Sequence, residues 1–186
     1  MKKVVFLLTA LLSVSISQAQ DFTFGVKGGL NIASVGGNAY SGLGGLGSKI
    51  GFHLGGVAEF PISEKMAVQP ELLFSLQGTK WNYGVGGDDL NLGYVNLPIL
   101  GKYYILEGLS AEAGPLVGFL LTTNVDDDDR FKKLDIAFAI GASYKLNENI
   151  FFSLRYNKGI ANINDDSFTN DKSQNNVFQL SAGYAF

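Results

Sequence analysis

The chain has 186 residues, a formal net charge of −3 and no cysteine. That length fits one domain, and the absence of cysteine excludes a disulfide scaffold, a thiolate zinc site, a cysteine nucleophile and a lipidated cysteine anchor. A hydrophobic share of 46% against 17% charged residues is too apolar for a disordered chain, and a pI near 5.1 argues against a nucleic-acid partner.

Taken in chain order, the first segment reads as an address. Lys2 and Lys3 precede the apolar run Val4 to Leu12, and Ser17-Gln18-Ala19 places small residues where a signal peptidase reads. This is the three-part secretory pattern, and the run falls short of the ~18–20 residues that cross a bilayer as a helix. The expected organisation is a signal peptide over residues 1–19 and one β domain over 20–186. Cleavage removes both lysines and takes the net charge from −3 to −5.

The remainder alternates. In Phe22 to Ala33 one parity carries Phe22, Phe24, Val26, Leu30 and Ile32, and the other Thr23, Lys27 and Asn31. That is a period-2 strand with one apolar and one polar face. Six further segments follow the pattern. Ile50 to Phe60 opposes Lys49, His53 and Glu59, and Val68 to Leu76 opposes Gln69, Glu71, Ser75 and Gln77. Val95 to Tyr103 opposes Asn96 and Lys102, and Ala111 to Phe119 opposes Glu112, Gly114 and Gly118. Ile136 to Tyr144 opposes Asp135, Ser143 and Lys145, and Phe152 to Tyr156 opposes Ser153, Arg155 and Asn157. Phe178 to Phe186 closes the series against Gln179, Ser181 and Gly183. The count is eight strands, with no convincing helical period.

The connections alternate as well. Ser34 to Ser48, Asn82 to Asp89, Asn124 to Lys133 and Asn162 to Asn175 are long. Pro61 to Lys65, Ile105 to Gly108 and Asn147 to Asn149 are short. Long and short in strict turn predict an all-β, eight-stranded antiparallel up-and-down barrel. In a transmembrane barrel the short turns are periplasmic and the long loops external. Aromatics gather near segment ends: Phe22, Phe24, Phe60, Tyr103, Tyr104, Tyr144, Phe151, Phe152, Tyr184 and Phe186 at the short-turn end, and Trp81, Tyr83, Tyr94 and Phe119 at the long-loop end. Two interfacial girdles are what a bilayer favours. The polar face is rich in glycine and carries lone mid-strand charges of both signs, Lys27, Glu71, Lys102, Glu112, Asp135 and Arg155. A charge on a lipid face costs about 2–4 kcal/mol at mid-bilayer. These six are therefore expected in the lumen as a salt-bridge network, with the apolar face toward outer-membrane lipid. In so narrow a barrel side chains fill the interior and no open pore is expected. A soluble periplasmic lipocalin-like barrel, with the faces inverted, is the alternative.

Several segments resemble a known family. Phe24-Gly25-Val26-Lys27-Gly28-Gly29-Leu30-Asn31 is similar to the first strand of the PorT-type outer-membrane β-barrel domain of Bacteroidota. Pro70-Glu71-Leu72-Leu73-Phe74-Ser75 with Gly78 resembles its third strand, and Tyr94-Val95-Asn96-Leu97-Pro98 with Lys102-Tyr103 its fourth. Ala113-Gly114-Pro115 and Arg155-Tyr156 with Gly159 resemble its fifth and seventh, and Phe186 the aromatic that ends many such barrels. The resemblance implies an integral outer-membrane protein; some members look like accessory parts of a secretion system, which stays open here.

Other candidate chemistry is weaker. Gly42 to Lys49 reads Gly-Ser-Lys where a phosphate loop needs Gly-Lys-Ser/Thr, and no helix pattern follows. Asp126 to Asp129 lacks calcium-loop spacing and is followed by Arg130, Lys132 and Lys133, so a solvated loop tip is expected. His53 is the single histidine. With Ser48 or Ser75 and Glu71 it could form a nucleophile–base set, though a hydrogen-bonded lumen histidine is the simpler reading. No catalytic residue, cofactor or metal is assigned. The expected role is structural or interactive, with Gly42 to Lys49 and Asn124 to Lys133 offered to a protein partner or ligand.

Overall fold

The computed structural model describes residues 22–37, 46–81, 89–124, 132–163 and 173–186. The signal segment, Gly42 to Gly45, Tyr83 and Asp126 to Asp129 lie outside the described residues. Among those described, eight strands follow one another: β1 (Thr23–Gly37), β2 (Leu46–Ser63), β3 (Met66–Trp81), β4 (Asp89–Leu106), β5 (Leu109–Thr123), β6 (Leu134–Lys145), β7 (Ile150–Gly159) and β8 (Ser173–Ala185). Each pairs antiparallel with its neighbours, and β1 pairs with β8 to close the barrel. Closure removes every sheet edge, so all strands find a ladder partner.

Parity decides which residues face where. Val26, Leu30, Ile32, Phe52, Leu54, Leu72, Ile99, Ile140, Leu154 and Leu180 are among the exposed apolar side chains, whereas Lys27, Glu71, Glu112 and Arg155 are buried. An inside-out distribution of this size has one physical solvent, hydrocarbon. It excludes the lipocalin-like alternative, which needs the opposite assignment.

The strands outrun the alternating runs. β1 continues to Gly37, β2 already begins at Leu46, and β4 begins at Asp89. Leu46 to Lys49, at the end of the expected docking loop, are therefore strand, with Ser48 paired to Thr79. Above the bilayer both faces can be polar, so the period-2 signal fades while the ladder persists. At the other end the turns are tight. Glu107-Gly108 joins β4 to β5, with Gly108 in the left-handed region at φ 78°, which glycine adopts without a Cβ clash.

The girdles need correction. Phe22, Phe24, Phe60, Tyr103, Tyr144, Phe152, Tyr184 and Phe186 are exposed on the outer surface at the short-turn end, and Phe22 packs edge-on to Phe24 at 5.1 Å. Tyr104, Phe151 and Tyr94 instead point inward. Tyr104 and Tyr94 share the lumen parity of Lys102 in β4, and Phe151 shares that of Arg155 in β7. Parity, not aromatic character, sets their direction. Phe119 is exposed at the long-loop end.

Candidate functional site in the barrel lumen

The lumen is built in layers whose charged members come from alternate strands, as the stagger of a tilted barrel requires. The central layer draws on the odd strands: Lys27 on β1, Glu71 on β3, Glu112 on β5 and Arg155 on β7. The guanidinium of Arg155 grips both oxygens of Glu71 through Nη1 and Nη2 at 2.8 Å each, and its Nε donates to Glu112 at 2.8 Å. Lys27 Nζ donates to Glu71 at 3.2 Å. Two cations balance two carboxylates, and all four side chains are essentially sealed from solvent. A planar fork with donors on two edges is what lets one arginine serve two carboxylates.

The layer toward the short turns draws on the even strands. Glu59 on β2 accepts from Lys102 on β4 at 2.7 Å and from Lys145 on β6 at 2.8 Å, and from the Tyr104 hydroxyl. Gln69 ties the two layers together: its Nε2 donates to Glu71 at 2.6 Å and its Oε1 accepts from Lys102 at 3.0 Å. Thus four of the six charges expected in one network meet at the centre, and Lys102 belongs to a second cluster joined through Gln69. Asp135 makes no ion pair with any described residue. Sequence reasoning does not mark Glu59, Lys145, Gln69 and Tyr104 as members of the network. Glu59, Gln69 and Lys145 are nonetheless legible as polar-parity residues, and Tyr104 by its spacing of two from Lys102.

Toward the loops the chemistry becomes neutral. Asn31 Nδ2 donates to the Phe52 carbonyl, Ser75 Oγ and the Leu76 carbonyl at 3.1, 2.9 and 2.8 Å. Its Oδ1 is thereby left as acceptor for Gln179 Nε2 at 3.0 Å and His53 Nδ1 at 2.8 Å. The network assigns the neutral ring's proton to Nδ1, so Nε2 accepts from Ser181 Oγ at 2.8 Å. Ser181 and His53 touch because Gly29 lies between them in register and has no side chain to intervene. The sequence-based partners for His53 are corrected. Ser75 bonds Asn31 rather than the histidine, Ser48 pairs with Thr79 near the long-loop end, and Glu71 belongs to the charged layer.

Ser181, His53 and Asn31 have the atom order of a nucleophile–base relay, but not the space for a substrate. They are 3%, 1% and 0% exposed. The sealed charged layer lies on one side. On the other, Val35, Leu90, Leu92, Tyr94 and Ile163 form an apolar cluster. Ile163 is pinned there by its carbonyl to Lys132 N–H and its N–H to the Ser173 carbonyl, both at 2.9 Å. At the charged layer the described side chains fill the lumen, and toward the short turns a recess remains, lined by Glu59, Gln69, Lys102, Lys145 and Phe151.

An apolar exterior, a closed antiparallel sheet and a self-neutralising polar interior define a transmembrane β-barrel. The model of the outer membrane protein beta-barrel domain family matches residues 18–165, and the chain belongs to that family. No curated protein sequence matches it. Among solved structures it is similar to Neisserial surface protein A, at 16% identity and a TM-score of 0.58 over 90% of this chain and all of that one. Ail of Yersinia pestis in complex with the heparin analogue sucrose octasulfate matches at 16% identity, with a TM-score of 0.52 and the same two shares. OprG from Pseudomonas aeruginosa matches at 15% identity with a TM-score of 0.50, over 88% of this chain and 95% of that one. At such identities the likeness is one of fold. The protein is an integral outer-membrane β-barrel.

Proposed function

We propose that the barrel is an anchor and that the protein works by docking a partner on its external loops. The observation that carries this reading is the filled lumen. With the interior packed by its own ion pairs and no accessible nucleophile–base pair among the described residues, contact chemistry falls to the loops. The reading includes secretion by a signal peptide over residues 1–19 and membership of the PorT-type branch of Bacteroidota barrels, supported by the strand motifs quoted above. It assigns no catalysis.

The loops carry their own bias. Asp88, Asp126 to Asp129, Asp165, Asp166 and Asp171 outnumber Arg130, Lys132, Lys133 and Lys172. The favoured partner is therefore a protein face rich in Lys and Arg, and a sulfated polyanion such as the one bound by Ail is disfavoured. The test uses purified protein in zwitterionic nanodiscs, with a polylysine peptide and heparin as probes. The expected result is salt-sensitive binding of polylysine, weakened severalfold when Asp126 to Asp129 are changed to Asn, and no binding of heparin. Heparin binding, or polylysine binding unchanged in the variant, would reject it.

A further inference from the structure

Asp135 is the lumen carboxylate that the two charged layers leave out. It is 5% exposed on β6, and its Oδ1 has no hydrogen-bond partner. Its other contacts are the Asn175 side chain and the Ile136 backbone. The lumen cations are engaged elsewhere: Lys27 and Arg155 on Glu71, and Lys102 on Glu59. Lys49, nearer the loops, is held by Asp89 at 3.3 Å.

The surroundings are rich in unsatisfied oxygen. Tyr94 Oη, Asn157 Oδ1, Asn175 Oδ1 and Ser173 Oγ lack partners, and all four residues are at least nine-tenths buried. Of this set Tyr94 lies beside Gly118, which pairs with Asp135 on one side and Asn96 on the other. A Cβ built on Gly118 would stand 2.7 Å from Asn96 Oδ1, 3.4 Å from Tyr94 Cδ1 and 3.6 Å from Asp135 Cβ. Tyr94 also belongs to the apolar cluster of Val35, Leu90, Leu92 and Ile163, which caps the site on the loop side. Asn175 is further held by a hydrogen bond to Gln77 across the barrel.

A buried carboxylate with only the Asn175 side chain and the Ile136 backbone as donors, one oxygen unpartnered and no cation of the described residues paired to it, is stabilised as the ion by an external positive charge. We propose that Asp135, Asn175, Asn96 and Tyr94 hold a small monovalent metal cation, sodium or potassium, in the outer half of the lumen. The donor set selects the class. One carboxylate with neutral amide and phenol oxygens matches a single charge, whereas calcium sites recruit several carboxylates. No group of three metal-ligating acids or histidines occurs among the described residues.

The experiment refolds the full protein into detergent micelles in sodium, potassium or choline chloride at equal ionic strength. The readout is the temperature at which the compact gel band gives way to the unfolded one. The expected result is a transition several degrees higher in sodium or potassium than in choline, with a saturable dependence on the favoured ion. Asp135→Asn keeps the shape of the side chain and should abolish the difference. Asn175→Ala should reduce it, and Glu148→Gln in the exposed β6–β7 turn should leave it intact. Equal transitions of the wild-type protein in all three salts would overturn the proposal and leave Asp135 as a protonated acid. A salt difference that persists in Asp135→Asn would overturn it too, by placing the ion elsewhere.

Discussion

Arg155 stands between two buried carboxylates, and its value lies in what its loss would strand. Arg155→Met leaves Glu71 with Lys27 as its one cation and removes the cation that Glu112 holds. Breaking a buried pair from one side costs about 3–5 kcal/mol, so the urea midpoint of the micelle-folded protein should fall markedly. The double change Arg155→Met with Glu112→Gln should recover part of that loss, because it removes the stranded charge as well as the pair. An equal midpoint for the single and double variants would show that the Arg155–Glu112 contact is idle. His53 makes a contrasting case. Its two ring nitrogens serve Asn31 and Ser181, so His53→Ala should cost about 1–3 kcal/mol through orphaned neutral partners and leave the outer-membrane lipid profile unchanged. A changed profile would restore the relay as chemistry. At this scale the sequence is partly legible. A lone charge in a greasy strand must face inward, so the lumen residues can be named, but the partition into odd-strand and even-strand layers depends on barrel stagger. No single-strand pattern encodes that stagger, which is why Lys102 is expected beside Arg155 and is found beside Glu59.

Strands are legible wherever their two faces meet different solvents. All eight carry the alternation within the apolar belt, and the boundaries slip only above it. There β1 runs on past Ser34 and β2 starts ahead of Ser48, where the apolar-polar contrast between the faces is lost. Aromatics mislead for a related reason: Tyr94, Tyr104 and Phe151 satisfy the composition of an interface but hold the parity of the lumen. Two substitutions test the elements themselves. Gly29 lies in the β1–β8 seam, where a Cβ would press on the Leu180 carbonyl and stand 2.7 Å from Ser181 Cα. These are backbone atoms that cannot rotate away. Gly29→Ala should therefore cost about 1–3 kcal/mol and lower the temperature at which the compact band is lost, whereas Gly56→Ala, whose nearest atom is 3.9 Å away, should not. On the outer face, Leu154, Leu180 and Leu30 are register partners across β7, β8 and β1. Leu180→Arg should cost about 2–4 kcal/mol in a bilayer. Ile62→Arg, next to the β2–β3 turn, should cost about 0–1 kcal/mol. Equal costs would mean that the exposed belt does not face lipid.

For the whole molecule, closure and orientation are one problem. An even strand count returns both ends of the sheet to the same side, and the three short turns, around Glu64-Lys65, Glu107-Gly108 and Leu146 to Asn149, share that side. Barrels of this kind place short turns in the periplasm and longer loops outside. The chain has no cysteine, so single introduced cysteines report on topology without background. Lys132→Cys lies at the long-loop end and Glu64→Cys in a short turn, and both positions are exposed. A membrane-impermeant maleimide applied to intact cells should label Lys132→Cys and spare Glu64→Cys, and permeabilising the outer membrane should make the two equal. Labelling of Glu64→Cys on intact cells would place the turns outside and move the docking surface to the periplasmic face. The acidic bias of residues 82–88, 124–133 and 160–172 would then address a partner within the envelope, and the apolar cap around Ile163 would close the lumen on its periplasmic side.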